Sequence, residues 1–325
     1  MAEERTHPAS ARTGDGWLRQ AFGALSTSEF ITFVFLLFLT LLNCIFYTRV
    51  AVWQTLVLLN CSIIAGILIL SNAAMLSHSR WLRLLHNWYP IGMLLFVFKE
   101  TYYMVHPIQP LDYDSYLIAA DLFIFGVHPT HWLSQFSHPL LTELLQLCYN
   151  SYYVLLLLPV IELYQRTNRT QFFTAGFLLI YGFYLSYIGY FLFPGVGPRF
   201  TLHEFGLLNV ELPGVWLTES LRHFVNMGES IPDGVMNAAA FAQRDIFPSG
   251  HTQVTLVALY IAFTYRISTR WVMLAVGSLL IFSTVYLRYH YAVDVAAGIV
   301  FFLFTIWSGR KIDNWWNRVE GQVKE

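Results

Sequence analysis

Eight stretches of the chain are long enough and apolar enough to cross a lipid bilayer, and no other property limits the fold as severely. They run 29–48, 52–77, 88–105, 139–164, 171–194, 250–265, 270–287 and 290–308. A spanning helix needs about 20 predominantly apolar residues, and inside lipid every backbone polar group must find its partner within the protein. The expectation is an all-α polytopic membrane helical bundle of about eight transmembrane helices, a core of six with N-terminal additions. Composition agrees, because 56% of the 325 residues are apolar and only 12% are charged, about half the charged share of a soluble domain. A disordered chain, a disulfide scaffold and a nucleic-acid binder that relies on bulk positive charge are all excluded by these figures and by the formal charge of -1.

The few basic residues orient the bundle, since Lys and Arg accumulate on the cytoplasmic side. With the N-terminus cytoplasmic and the spans alternating, the inner segments hold Arg5, Arg12, Arg19, Arg80, Arg83, Arg166, Arg169, Arg266, Arg270, Arg310, Lys311, Arg318 and Lys324, thirteen of the nineteen. Arg49, Lys99, Arg199, Arg222, Arg244 and Arg288 fall outside. Both termini are then cytoplasmic. The chain divides into a polar tail (1–28), N-terminal helices (29–105), a non-cytoplasmic loop (106–138), a core (139–308) and a cytoplasmic tail (309–325). The first span ends in FYTRVAV rather than a small-residue cleavage site, which reads as an anchor. The loop at 106–138 contains DLFIFGVHPTHWLSQF, a composition suited to lying along the membrane interface. A second outer loop, about 195–249, is long and net acidic, and long loops at one end of a bundle are where a site is expected.

Three outer elements carry groups able to do chemistry. Phe247-Pro248-Ser249-Gly250-His251-Thr252 leads into an apolar helix. Ser and Pro start helices, and the free amides of the first turn favour an anion. There Gly250 admits a ligand close to the backbone and His251 adds an imidazole. Alone, the turn is equally a capped helix with an interfacial histidine. Next, His290 and Asp294 lie four apart in Arg288-Tyr289-His290-Tyr291-Ala292-Val293-Asp294 and share a helix face. A carboxylate on one ring nitrogen fixes the tautomer and frees the other as nucleophile or base; the same spacing also suits a structural contact. Third, Phe193-Pro194-Gly195-Val196-Gly197-Pro198-Arg199 leaves the fifth span with an arginine fit for an oxyanion or for lipid headgroups. Two imidazoles with arginines and no carboxylate cluster point to a phosphate ester handled without a metal or cofactor. His290 attacks phosphorus, His251 protonates the leaving oxygen, and Arg199, Arg288, Ser249 and the Gly250 turn bind the phosphate oxygens.

The ordered set Gly-Pro-Arg, Pro-Ser-Gly-His and His-x-x-x-Asp resembles the type 2 phosphatidic acid phosphatase superfamily over roughly 139–308. The resemblance implies a membrane phosphatase or phosphotransferase with a phosphohistidine on His290, Asp294 as its partner and His251 as acid. It implies a phosphate cradle at Ser249, Gly250 and His251, with Arg199 as the first-motif arginine. Two positions depart from the pattern. Leu192 stands where the first motif carries Lys, and Ser283-Thr284 where the third usually has Ser-Arg, with Arg288 displaced by one turn. The Tyr-His-Tyr-x-x-Asp run and the added spans are similar to the inositol phosphorylceramide synthase branch, whereas the Gly of Pro-Ser-Gly-His is what the phosphatases carry. The expected partner is a lipid phosphate or pyrophosphate in the membrane, with no nucleic acid. The acceptor, water or an alcohol such as a polyol, stays open. A non-catalytic lipid-binding or transport protein is the contrasting class, for which paired repeats with broken helices are the signature.

The remaining polar residues have plainer readings. His128, His131 and His138 lack an adjacent acid or Cys, which argues against a metal site. Glu143, Gln146 and Asn150 share one helical face and are expected to bond neighbouring helices. Lys99-Glu100 reads as an interfacial ion pair, Trp315-Trp316 as a membrane anchor, and Cys44, Cys61 and Cys148 as core packing.

Overall fold

The computed structural model describes residues 22–235 and 237–324, with side chains through residue 319. Arg5, Arg12 and Arg19 therefore lie outside the described residues. Within them the chain is all helical, without strands. The principal helices are α1 (Thr27–Ile45), α2 (Trp53–Leu76), α3 (Arg80–Ile108), α4 (Asp114–Phe125), α5 (Pro129–Ser134), α6 (Pro139–Asn150), α7 (Tyr152–Gln165), α8 (Arg169–Leu192), α9 (Thr218–Gly228), α10 (Gly250–Thr264), α11 (Arg270–Tyr286) and α12 (Ala292–Lys324).

Four of these, α1, α2, α8 and α12, are long and apolar enough to cross a membrane, and α6 with α7 makes a fifth if their 45° bend is one broken span. That falls short of the eight expected. Helices α10 and α11 have only 15 and 17 residues, below the roughly 20 that span hydrocarbon at 1.5 Å per residue. Helix α3 is long, but charges at both ends and Pro90 and Pro107 within it dilute its apolar character.

Helix α8 is the hub, with 78% of its apolar window buried. One of its sides packs with α7 and α10 around Leu156, Val160, Phe177, Val257 and Ile261, and Leu280 of α11 joins the same cluster. The other meets α1 and α3 through Phe35, Leu39, Val97, Ile180 and Tyr187, and Phe35 stacks on Tyr184 with centroids 4.4 Å apart. Helix α12 crosses closely over α10 because Gly298 has no side chain; a Cβ there would stand 2.8 Å from the Ser249 carbonyl oxygen.

Buried polar residues tie helices together, since an unpaired group in an apolar bundle is costly. Glu143 of α6 accepts from the amides of Val215, Leu217 and Thr218 and so caps α9. Asn150 bonds the Leu221 carbonyl, and Gln146 bonds Asn150. Lys99 and Glu100 do not pair. Successive residues on a helix point apart, so Glu100 turns inward to Asn60 at 2.7 Å. Lys99 instead reaches the Ser230 hydroxyl at 2.8 Å. Trp316 is packed inside, stacked on Phe30 at 3.9 Å, which leaves only Trp315 exposed. Cys148 is buried, but Cys44 and Cys61 face outward, where a small apolar side chain suits the surface of such a bundle.

Candidate active site

The site assembles where α10 and α12 begin. Ser249 caps α10, its Oγ accepting from the Thr252 amide at 3.3 Å and the Thr252 hydroxyl at 3.1 Å. Its own amide donates to the Asp294 carbonyl oxygen at 3.1 Å, which locks the two helix starts together. Space beside Gly250 is already filled, because a Cβ there would meet the Tyr190 hydroxyl at 2.5 Å. The glycine lets the Tyr190 hydroxyl approach the backbone, and it also lines the apolar cavity described below. His251 lies against the rings of Tyr149 and Tyr152, with centroids 4.7 and 4.4 Å away.

His290 sits in the turn between α11 and α12. Arg288 makes that turn in the left-handed region, at φ 67°, and the amides of Tyr289 and His290 both return to the Thr284 carbonyl. His290 Nδ1 is 3.0 Å from the Ile246 carbonyl oxygen and 3.4 Å from Asp294 Oδ2. A carbonyl only accepts, so Nδ1 carries the proton and Nε2 keeps its lone pair. Asp294 also closes half of a capping box by accepting from the Tyr291 amide at 2.8 Å. The rings of His251 and His290 stand 5.8 Å apart between centroids, room for a phosphoryl group to bridge them.

Arg199 is buried at 3% exposure. Its guanidinium lies between the rings of Phe200 and Tyr289, 4.7 and 4.9 Å from their centroids. It bonds Asn226 at 3.2 Å and pairs with Glu229. Its amide donates to the Arg288 carbonyl oxygen, joining the first motif to the third. The Arg288 side chain goes elsewhere. Its guanidinium pairs with Glu211 and bonds Ser134 at 3.1 Å, so its described partners do not include either histidine. The hydroxyls of Ser283 and Thr284 turn back to their own helix carbonyls. Leu192 is 55% exposed on the outside of the bundle.

Two cavities meet at His251. An apolar one of about 330 Å³ runs between α3, α7 and α8 along Ile91, Leu95, Phe98, Leu156, Leu179 and Phe183. A second, about 370 Å³, is walled by Lys99, Asn150, Tyr153, Glu229 and Asp245. His251 and Asp245 line both. Burial pushes the Asp245 carboxyl up to about 8, with the neighbouring Glu229 charge adding to the rise. Burial raises Glu229 as well, against the pull of Arg199. The sequence places both acids in the acidic outer loop at 195–249 without giving either a role. Asp245 stands six residues before His251, and that proximity to the motif was the one available signal.

Residues 116–308, more than half of the chain, match the family model of the PAP2 superfamily. The chain belongs to the PAP2 superfamily. No curated protein matches it, and no solved structure does. Members of the PAP2 superfamily are generally phosphatases and phosphotransferases. The matched region begins inside α4, earlier than the resemblance at 139–308 implied, and takes in Arg199, Glu229, Asp245, His251, His290 and Asp294. Helices α1 to α3, with Lys99 and the Ile91, Leu95 and Phe98 side of the apolar cavity, lie before the PAP2 match.

Proposed function

We propose that this PAP2 superfamily member is an integral-membrane phosphoryl-transfer enzyme acting on a lipid phosphate or pyrophosphate through a phosphohistidine. The observation that carries the reading is the Ile246 carbonyl 3.0 Å from His290 Nδ1, which leaves Nε2 free beside His251. In the first step Nε2 attacks phosphorus, the bond to the leaving oxygen breaks, and His251 gives that oxygen its proton. In the second an acceptor hydroxyl attacks the phosphohistidine, the P–N bond breaks, and His251 takes the acceptor's proton. Two imidazoles supply nucleophile and acid, roles that need no metal. Arg199 and the first-turn amides of α10 face the phosphoryl oxygens, with Ser249 and Gly250 shaping that turn. Arg288 contributes by holding the turn that presents His290. The apolar cavity takes the lipid chain. In this reading the bundle crosses the membrane about eight times, with α10 and α11 as short spans and both termini cytoplasmic, and the site opens on the other side.

With water as acceptor the enzyme is a lipid phosphatase. The second cavity favours a transferase reading as well, because its carboxyls, amide and phenol offer the hydrogen bonds a polyol needs. Incubating the solubilised protein with a panel of lipid phosphates, with and without inositol or glycerol, separates the two. Free phosphate marks the phosphatase and a phosphomonoester of the added polyol the transferase. Neither product from any lipid, or full activity in His290→Ala, removes the reading.

A further inference from the structure

Helix α4 contributes nothing to the two histidines directly, yet two of its aspartates reach both loops that carry the site. Asp114 and Asp121 lie seven apart, two helical turns, and so project from one side of α4. Both are buried, at 6% and 1% exposure, while Leu122, Phe123, Ile124 and Phe125 are exposed. Asp121 accepts from the amides of Ala292 at 3.0 Å and Val293 at 2.8 Å. These are the first two residues of α12, whose amides have no partner within the helix. A carboxylate there also complements the positive end of the helix dipole. Asp114 accepts from the Val196 and Gly197 amides at 3.0 and 2.8 Å, and from the Tyr291 hydroxyl at 2.8 Å. The Tyr113 amide adds a bond to the Pro194 carbonyl oxygen at 2.7 Å.

These bonds bracket His290 and Arg199. Asp121 fixes the helix end two residues after His290, and Asp114 fixes Tyr291 together with the turn two residues before Arg199. We infer that Asp114 and Asp121 are positioning residues, and that α4 is a strap holding the nucleophile and the first-motif arginine in register. A slip of the α12 start moves the His290 ring off the Ile246 carbonyl. Misplacement of a reacting atom by about 1 Å costs on the order of 100-fold in rate.

The inference rests on the phosphohistidine reading for its kinetic half only. The test uses the full chain in detergent, comparing Asp121→Ala and Asp121→Asn with the parent. Kinetics with a lipid phosphate are paired with hydrogen–deuterium exchange of the peptide 287–296. Asp121→Ala is expected to lower kcat about 10–100-fold with KM nearly unchanged, and to speed exchange in that peptide. Asp121→Asn keeps one accepting oxygen and recovers part of both. Parental exchange in Asp121→Ala overturns the strap, as does a raised KM with parental kcat. Failure of both variants to fold also overturns it, because Asp121 would then support the bundle rather than the site. A parent inactive on every lipid phosphate sinks the proposed function, and the exchange result still judges the strap.

Discussion

The imidazole of His290 is oriented first by the main chain of Ile246, whose carbonyl oxygen is 3.0 Å from Nδ1, nearer than Asp294 Oδ2 at 3.4 Å. The carbonyl hydrogen-bonds that nitrogen and fixes the tautomer, and the Asp294 carboxylate adds a nearby charge. Replacing Asp294 by Asn should therefore be milder than the roughly 10⁴-fold loss seen where a carboxylate alone orients a catalytic imidazole. A fall in kcat of about 10–100-fold is expected. A loss as deep as that of His290→Ala, measured side by side, contradicts that division of roles.

His290→Ala removes the proposed nucleophile. Turnover should drop by at least about 10³-fold, and brief mixing with a ³²P-labelled lipid phosphate should leave no acid-labile, base-stable label on the protein. His251→Ala should behave differently. Its loss slows protonation of the leaving oxygen by about 10²–10⁴-fold, most for poor leaving groups and least for an activated ester. An equal loss on both kinds of ester speaks against His251 as the acid.

Arg199 and Arg288 should separate in their effects. Arg199→Lys keeps the charge but loses the planar fork between Phe200 and Tyr289, and activity should fall without a matching change in melting temperature. Arg288→Ala breaks a pair with Glu211, whose side chain is 38% exposed. Stability should drop by about 1–3 kcal/mol, less than for a wholly buried pair. Thermal melts beside kinetics distinguish the two, and an Arg288→Ala enzyme of parental stability but no activity reverses the assignment.

The chamber acids give the protein a pH signature. Asp245 has its folded pKa raised from 3.8 to about 8, so the folded state holds a proton that the unfolded chain releases. Its contribution to stability is fully present below the ordinary carboxylate range and is lost as pH rises from there toward about 8. Asp245→Asn should then melt above the parent at pH 8.5, with the difference closing near pH 4. A gap that widens toward acid contradicts this sign.

Filling the apolar cavity should select against long chains. Leu95→Trp places a large ring among Ile91, Phe98 and Leu156. KM for a long-chain lipid phosphate is expected to rise about tenfold or more, with little change for a short-chain soluble ester. Equal effects on both substrates remove this cavity as the chain site.

Periodicity and hydropathy made the bundle legible, and the motifs located His251, His290, Asp294 and Arg199, which the fold brings to one end of α10 and α12. What stayed hidden depends on long-range contacts. Nothing local distinguishes Asp114, Asp121, Glu229 or Asp245 from acids in a solvated loop. Each gains its role from a chain segment distant in sequence, such as the Ala292 and Val293 amides for Asp121. Gly250 signalled a close approach correctly but could not reveal that Tyr190 makes it. Arg288 likewise carried a charge near the motif without showing that Glu211 and Ser134 hold it.

Helix α3 lies outside the family match, yet it walls both cavities and brings Lys99 into one of them. Residues before the match thus complete the walls of cavities that the matched region mostly lines. On the proposed reading, changes in α3 should alter which lipid is preferred while the two histidines keep their places. Chimeras that swap residues 22–108 between PAP2 superfamily members should shift substrate preference in part and leave the proposed phosphohistidine step intact.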